Sequence, residues 1–488
     1  MSEARRMSVN AATPDPTGED ERPDPLRSVA AKVSNVDAEP AAAEVVKADD
    51  GSAATGTPKA GRSGVDEVLH KGPFGLLQLL GPGLITGASD DDPSGIGTYS
   101  QAGSQFGIST LWLAIFTLPL MVAVQEACAR IALQTGVGLG VSLRRKFPTV
   151  LVGLCILAVF FANTINVGAD LGAVAAGGSL LTGSHVPPAW LVVPVALLIV
   201  FLQLRLSYSI IFKVFKYLTL ALFAYVITVF VVHPPLLQTL EATITPHFEF
   251  NKEYLGIVVA ILGTTISPYL FFWQASSEVD EMKAAGATTE QQRQGTSRKE
   301  LKAARLDVTI GMLFSQVVMY SIILTSGTVL HGHGQDSISS AAQAAQALKP
   351  LAGPFAFILF AVGMIGTGLL AIPVLTASAA YAVKEFFGFR GGLSDKVRAR
   401  PTFYGLIVIA IAGGLAMNFL NINPIQALVV TAIINGIVAP PILVLIALLA
   451  RDRKVMDDHR SGFWSNTLVW IATFVMGAAA MLLIVTLF

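Results

Sequence analysis

Leu76-Leu-Gln-Leu-Leu-Gly-Pro-Gly-Leu-Ile-Thr-Gly-Ala-Ser89, then Asp90-Asp-Asp-Pro-Ser-Gly95, then Ile96-Gly-Thr-Tyr99: an apolar run is interrupted by three consecutive aspartates, followed at once by a proline and a glycine. A carboxylate near the middle of a bilayer costs roughly 2.5–3.5 kcal/mol even on the lenient insertion scale, so such a group faces a cavity, an ion or a partner. Pro93 removes a backbone donor and Gly95 relaxes the chain, so the helix is predicted to break there. A broken span with carboxylates at the break points to a cation site in a carrier.

The rest of the chain agrees with a membrane setting. Of 488 residues, 53% are hydrophobic and only 14% charged, which is too apolar for a soluble globular protein. Formal net charge is zero, and no basic stretch of the kind that binds nucleic acid stands out. Cys128 and Cys155 fall in apolar segments and read as small buried hydrophobes, outside any disulfide framework. Residues 1–72 differ from the remainder. They are rich in Ala, Asp, Glu, Pro, Gly and Ser, and the segment 1–70 has no aromatic residue. Such a segment cannot bury enough apolar surface to offset its chain entropy, so a disordered cytoplasmic tail is expected.

A helix needs about 20 apolar residues to cross the hydrocarbon core. Eleven candidate spans follow, near 76–104 (broken), 109–134, 149–182, 188–205, 212–233, 254–284 (broken), 306–331, 353–383, 402–420, 425–450 and 465–487. With the N-terminus placed inside, 22 Lys and Arg residues fall on the inner loops and helix ends, against only Lys252 and Lys349 on the other side. One missed span would scramble that asymmetry, so it supports the count as well as the orientation. An integral protein of the plasma (inner) membrane is expected, with the C-terminus outside. A monomer suffices for this organisation, and nothing in the sequence fixes oligomeric state.

The sixth span repeats the interruption of the first, in Gly263-Thr-Thr-Ile-Ser-Pro268. Five spans separate the two, and an odd repeat length makes the halves run in opposite directions. The expected fold is therefore an all-α polytopic membrane protein with an inverted 5+5 helix repeat, spans 1–5 over about 76–233 and 6–10 over 254–450, plus an eleventh helix. Paired interruptions in two such halves point to a central site. Asp92 is the expected charged ligand, with carbonyls near Ser89 and Thr264 as oxygen donors; Asp90 and Asp91 face the same cavity or line its mouth. Asp92-Pro93 is equally a common helix start, and the two roles coexist. Weaker candidates are Asn435 in the tenth span, and Glu278 and Glu281, expected to share a face at the inner end of the sixth. Glu126 is expected to pair with Arg130 one turn away.

The segment Asp92-Pro-Ser-Gly-Ile-Gly-Thr-Tyr-Ser-Gln-Ala-Gly103 resembles the first-helix motif of the NRAMP family of divalent-metal transporters, Asp-Pro-Gly-Asn-Ile-Ala-Thr-Asp-Leu-Gln-Ala-Gly. Thr264-Thr-Ile-Ser-Pro-Tyr-Leu-Phe-Phe-Trp273 resembles its sixth-helix motif, Ala-Thr-Val-Met-Pro-His-Asn-Leu, and Gln125 to Gly136 its second helix. The resemblance covers roughly residues 76–450 and implies a LeuT-type fold, alternating access, a transported divalent cation and no prosthetic group.

The departures from that pattern carry as much as the matches. The family's Asn ligand falls on Gly95 and its Met ligand on Ser267. A thioether favours softer transition metals, whereas oxygen ligands suit magnesium, calcium and manganese. Magnesium sheds water reluctantly and is usually held by one or two carboxylates with several waters, which a wide oxygen-lined site would allow. The family's sixth-helix His falls on Tyr269, which does not titrate near neutrality. Its acidic positions on the third helix fall on Asn163 and Ala173, leaving only Asp170. These departures resemble a magnesium-transporting branch of the family and imply import of Mg2+, with Mn2+ as a second ion, without proton coupling. The rivals are a proton-coupled manganese or iron symporter, an organic-substrate carrier such as an amino-acid carrier, and a non-transporting sensor. Three aspartates at the break would repel a substrate carboxylate. No phosphate-binding loop or nucleophile triad stands out, so an enzyme is not expected.

Overall fold

The structure, a computed structural model, describes residues 81–205, 223–334, 337–393, 395–420 and 422–486. The expected tail over 1–72, the start of the first span and residues 212–222 of the fifth lie outside the described residues.

The first span is two helices, α1 (Pro82–Asp90) and α2 (Pro93–Phe106). There follow α3 (Trp112–Thr135), the short α4 (Leu139–Lys146), α5 (Thr149–Leu181), α6 (Pro188–Arg205), α7 (Phe223–Val232) and α8 (Leu236–Ile244). The sixth span is again a pair, α9 (Lys252–Thr265) and α10 (Pro268–Ala284). The remaining long helices are α11 (Arg298–Val329), α12 (Ala356–Phe387), α13 (Pro401–Met417), α14 (Pro424–Ala450) and α15 (Phe463–Val485). Among the described residues nine helices are long and apolar enough to cross a membrane, α9 and α10 being taken together. The seventh span begins earlier than hydropathy predicts, at Arg298. Ser297 and Glu300 form a reciprocal capping box there, which starts the helix within a polar segment.

The two breaks are built alike. Each leaves two residues outside the helices, Asp91-Asp92 and Ile266-Ser267, and each second helix opens on a proline at its first position. Proline costs nothing there because that amide has no helical partner. The first residue of each gap has similar backbone angles (φ −86°, ψ 50° at Asp91; φ −115°, ψ 56° at Ile266). The same local chemistry recurs five spans apart, as an inverted repeat requires.

Missing side chains let the broken helices approach their neighbours. A Cβ on Gly87 of α1 would fall on the Gly311 carbonyl of α11, and one on Gly263 of α9 on the Ala432 carbonyl of α14. Small residues at such contacts are the usual device of helices packed in lipid, where dispersion rather than the hydrophobic effect holds them together. Elsewhere α5 packs against α12 and α13, and α14 against α9 and α15. Large apolar side chains such as Phe161, Phe201, Phe230 and Phe474 point outward, and Trp190 and Trp464 stand exposed at helix starts, where indole rings suit the membrane interface. Cys128 and Cys155 are buried free thiols.

Candidate cation site at the paired helix breaks

Asp92 sits at the N-terminus of α2 and does two jobs. Its Oδ1 accepts hydrogen bonds from the Gly95 amide (2.7 Å) and the Ser94 hydroxyl (2.6 Å), capping the helix. Its Oδ2 accepts from Asn166 Nδ2 of α5 at 2.9 Å. Asp170, one turn further along α5, is fully buried and close enough to Asp92 for the two charges to interact. Both Asp170 carboxylate oxygens lack a hydrogen-bond partner among the described residues. Asn163, one turn before Asn166, donates instead to the Leu375 carbonyl of α12 (3.3 Å), and its Oδ1 is unsatisfied.

Asp90 and Asp91 turn to the opposite neighbour. Ser315 of α11 donates to Asp90 Oδ2 at 2.6 Å and lies 3.4 Å from Asp91 Oδ1. Asp90 Oδ1 and Asp91 Oδ2 have no partner among the described residues. The hydrogen bonds of the three aspartates thus divide between α5 and α11.

The sixth-span break supplies oxygen atoms whose hydrogen bonds are spent locally. Ser267 Oγ turns back to the carbonyls of Gly263 (2.6 Å) and Thr264 (2.8 Å). Tyr269 donates its hydroxyl to the Ser89 carbonyl at 2.7 Å, tying the two breaks together. Each of these carbonyls keeps a second lone pair. The space left by the absent side chain of Gly95 is not open: a Cβ there would lie 3.2 Å from the Asp90 carbonyl, 3.2 Å from the Tyr99 ring and 3.4 Å from Thr264 Oγ1. In this conformation the break is compact rather than wide.

Asp90, Asp91, Asp92, Asp170, Thr264, Ser267 and Tyr269 are all at most 1% exposed, so the locus is closed to both sides. Among the described residues none of these carboxylates makes an ion pair with Lys, Arg or His, and no three His, Cys, Asp or Glu side chains converge as ready metal ligands. Four buried carboxylates without a basic partner are sustainable only if a cation or protons balance them.

Of the remaining candidates, Asn435 is buried with both amide atoms unsatisfied among the described residues. Glu278 and Glu281 do not act together. Glu278 is buried and accepts from Gln274 Nε2 (3.0 Å), while Glu281, in the last turn of α10, is exposed. Glu126 pairs with Arg130 as expected and also accepts from Ser465 of α15. Sequence reasoning passed over Asn166 and Ser315 as partners of the aspartates. Asn163, Asn166 and Asp170 follow the i, i+3, i+7 stripe of one helix face, which marks Asn166; nothing local marks Ser315.

An all-helical bundle with two broken helices meeting at its centre has the LeuT-type fold. The chain belongs to the family whose model is described as natural resistance-associated macrophage protein-like, which matches residues 83–486. Among its relatives is a divalent metal cation transporter MntH of Aeromonas hydrophila, 25% identical over 389 residues, with 79% of this chain and 90% of that one covered. The MntH of Bacillus subtilis is 24% identical, covering 86% and 94%. These relatives are transporters, not enzymes. The fold is that of the Eremococcus coleocola manganese transporter (TM-score 0.64, 16% identity, 84% of this chain and 86% of that one covered) and, more distantly, of MhsT crystallised with L-phenylalanine (TM-score 0.53, 13% identity, 84% and 98%).

Proposed function

We propose that this chain imports divalent cations by alternating access, with Mg2+ preferred, Mn2+ competent and no obligatory proton coupling. The observation that carries the proposal is the closed locus at the breaks, where every side-chain donor is oxygen or amide. Asp92 is the principal charged ligand, and Asp91, with the carbonyls or hydroxyls of Ser89, Thr264 and Ser267, completes the coordination as the halves part. Ser267 offers a hydroxyl where the resembled motif has a thioether, which favours a hard cation that keeps part of its water. Tyr269, buried and bonded to Ser89, replaces a titratable histidine of that motif. The inner face is the one rich in Lys and Arg.

A proton-coupled manganese symporter is the second reading. Asp170 favours it, as a buried carboxylate beside Asp92 with both oxygens unsatisfied among the described residues. The test is Mg2+ entry into sealed proteoliposomes, read by an internal dye, for wild type and Asp92→Ala, with internal pH followed in parallel. Saturable Mg2+ entry, lost in the variant and without acidification, is expected. Mn2+ entry with acidification and no Mg2+ entry would move the protein to the proton-coupled class.

A further inference from the structure

A cavity of about 840 Å³ opens at the end of the molecule that carries Lys283, Arg293, Lys384, Arg390 and Arg400. It lies between α4, α10 and α12, and Ser276 and Glu385 are among its lining residues. Glu385 is only 3% exposed although it belongs to the cavity wall. Its Oε1 accepts from the Ser276 hydroxyl of α10 at 2.8 Å, and its Oε2 accepts from the Gly140 amide at the start of α4, also at 2.8 Å. The second contact requires glycine at the helix start, because a Cβ on Gly138 would land on the Glu385 carboxylate. One carboxylate on α12 therefore grips α10 and α4 at once. Lys384 and Lys283 are close enough to act on its charge, and among the described residues neither forms an ion pair with it.

The same α10–α12 seam continues to the cation site. Ser378 of α12 donates to the Tyr269 carbonyl of α10 at 2.5 Å, and the Tyr269 hydroxyl bonds Ser89 at the first break. Tyr269 to Ser276 and Ser378 to Glu385 are both steps of seven residues. The two helices thus run in the same direction with two polar rungs about 10 Å apart. The upper rung borders the site and the lower borders the cavity. An ion leaving the closed site toward the basic end along this seam has to part α10 from α12, which the lower rung holds together with a hydrogen bond from the Tyr381 hydroxyl of α12 to Asp280 of α10.

We propose that Glu385 is a positioning residue of the transport cycle, a latch on the inner side that holds α10 and α4 against α12 and releases Ser276 when the site opens inward. This rests on the transport proposed above. The test does not use flux. Ala382, buried on α12 one turn beyond Ser378, is replaced by cysteine in a chain with Cys128 and Cys155 changed to alanine. Its rate of modification by a membrane-impermeant thiol reagent is then measured in the full-length purified protein. Ser276→Ala is expected to raise the rate about tenfold, the population shift that loss of one hydrogen bond to a charged group produces. Ser276→Thr, which keeps the hydroxyl, is expected to restore it, whereas a packing defect would persist in both. Glu385→Gln is expected to fall between. Equal rates in wild type, Ser276→Ala and Glu385→Gln would overturn the latch. So would a Ser276→Thr rate as high as that of Ser276→Ala. Absence of divalent-cation flux in the wild-type proteoliposomes would sink the proposed function while leaving these rates to be read by themselves.

Discussion

Removing the carboxylate of Asp307 should free the first half-helix. Asp307 stands on α11 and is almost fully buried. Its Oδ1 accepts from the Gly81 amide (2.9 Å) and the Leu84 amide (3.3 Å), and its Oδ2 from the Gly83 amide (2.8 Å). The N-cap residue of α1 is Gly81, which has no side chain to satisfy these donors. The cap is therefore supplied by a different helix. A hydrogen bond to a charged group is worth about 1.5–3 kcal/mol, and loss of a good N-cap about 0.5–2 kcal/mol. Three bonds share one carboxylate and the freed amides regain water, so Asp307→Ala should weaken the docking of α1 by roughly 2–4 kcal/mol rather than by the sum. At about 1.4 kcal/mol per factor of ten, that raises the undocked population roughly 30- to 700-fold. A helix of nine residues is not stable alone, so once undocked it should fray. Hydrogen exchange over residues 81–92 would read this directly, with α14 as an internal control. Asp307→Asn, which keeps one oxygen but turns an amide donor toward amide donors, should lie between. Exchange over 81–92 within twofold of wild type in Asp307→Ala would refute the reasoning.

Two further outcomes are expected. Restoring the resembled motif with Gly95→Asn and Ser267→Met should shift competition in a flux assay toward Mn2+ over Mg2+, and Gly95→Asn alone should bind poorly because Tyr99 occupies the space; unchanged ion preference in the double variant would contradict the role of these positions. Between the end of α4 and the segment that follows α10, paired hydrogen bonds from Arg145 (2.6 and 3.0 Å) hold the Glu290 carboxyl below its usual range. A depressed carboxyl lends stability that is present above its unfolded value near 4.3 and is lost as pH falls through the lowered folded value. The pair is solvent-exposed, so Glu290→Gln should cost at most about 1 kcal/mol at neutral pH, and less at high salt. Thermal unfolding across pH and salt would check both.

The architecture was legible because hydropathy and charge asymmetry act over whole spans, and the Gly/Pro interruptions marked both breaks. Rotation about each helix axis was not. It decides that Asp92 meets Asn166 while Asp90 and Asp91 meet Ser315. Neighbouring carboxylates in a sequence look alike, but at a helix break the backbone turns between them and gives them different hydrogen-bond partners. Nor did residue type reveal that the small Gly95 leaves no void, since Tyr99 from the following turn fills it.

Each break also places two helix ends against one another. The C-terminus of α1 faces the N-terminus of α2, and that of α9 faces that of α10. Such ends carry about half a negative and half a positive elementary charge respectively. Summed over both breaks these half-charges cancel, so the net charge at the centre is set by side chains, above all by the aspartates. The same scaffold stripped of its aspartates would keep carbonyl and amide ends at its centre but no net charge, a setting that suits a zwitterion, whose two ends can meet the two kinds of helix end.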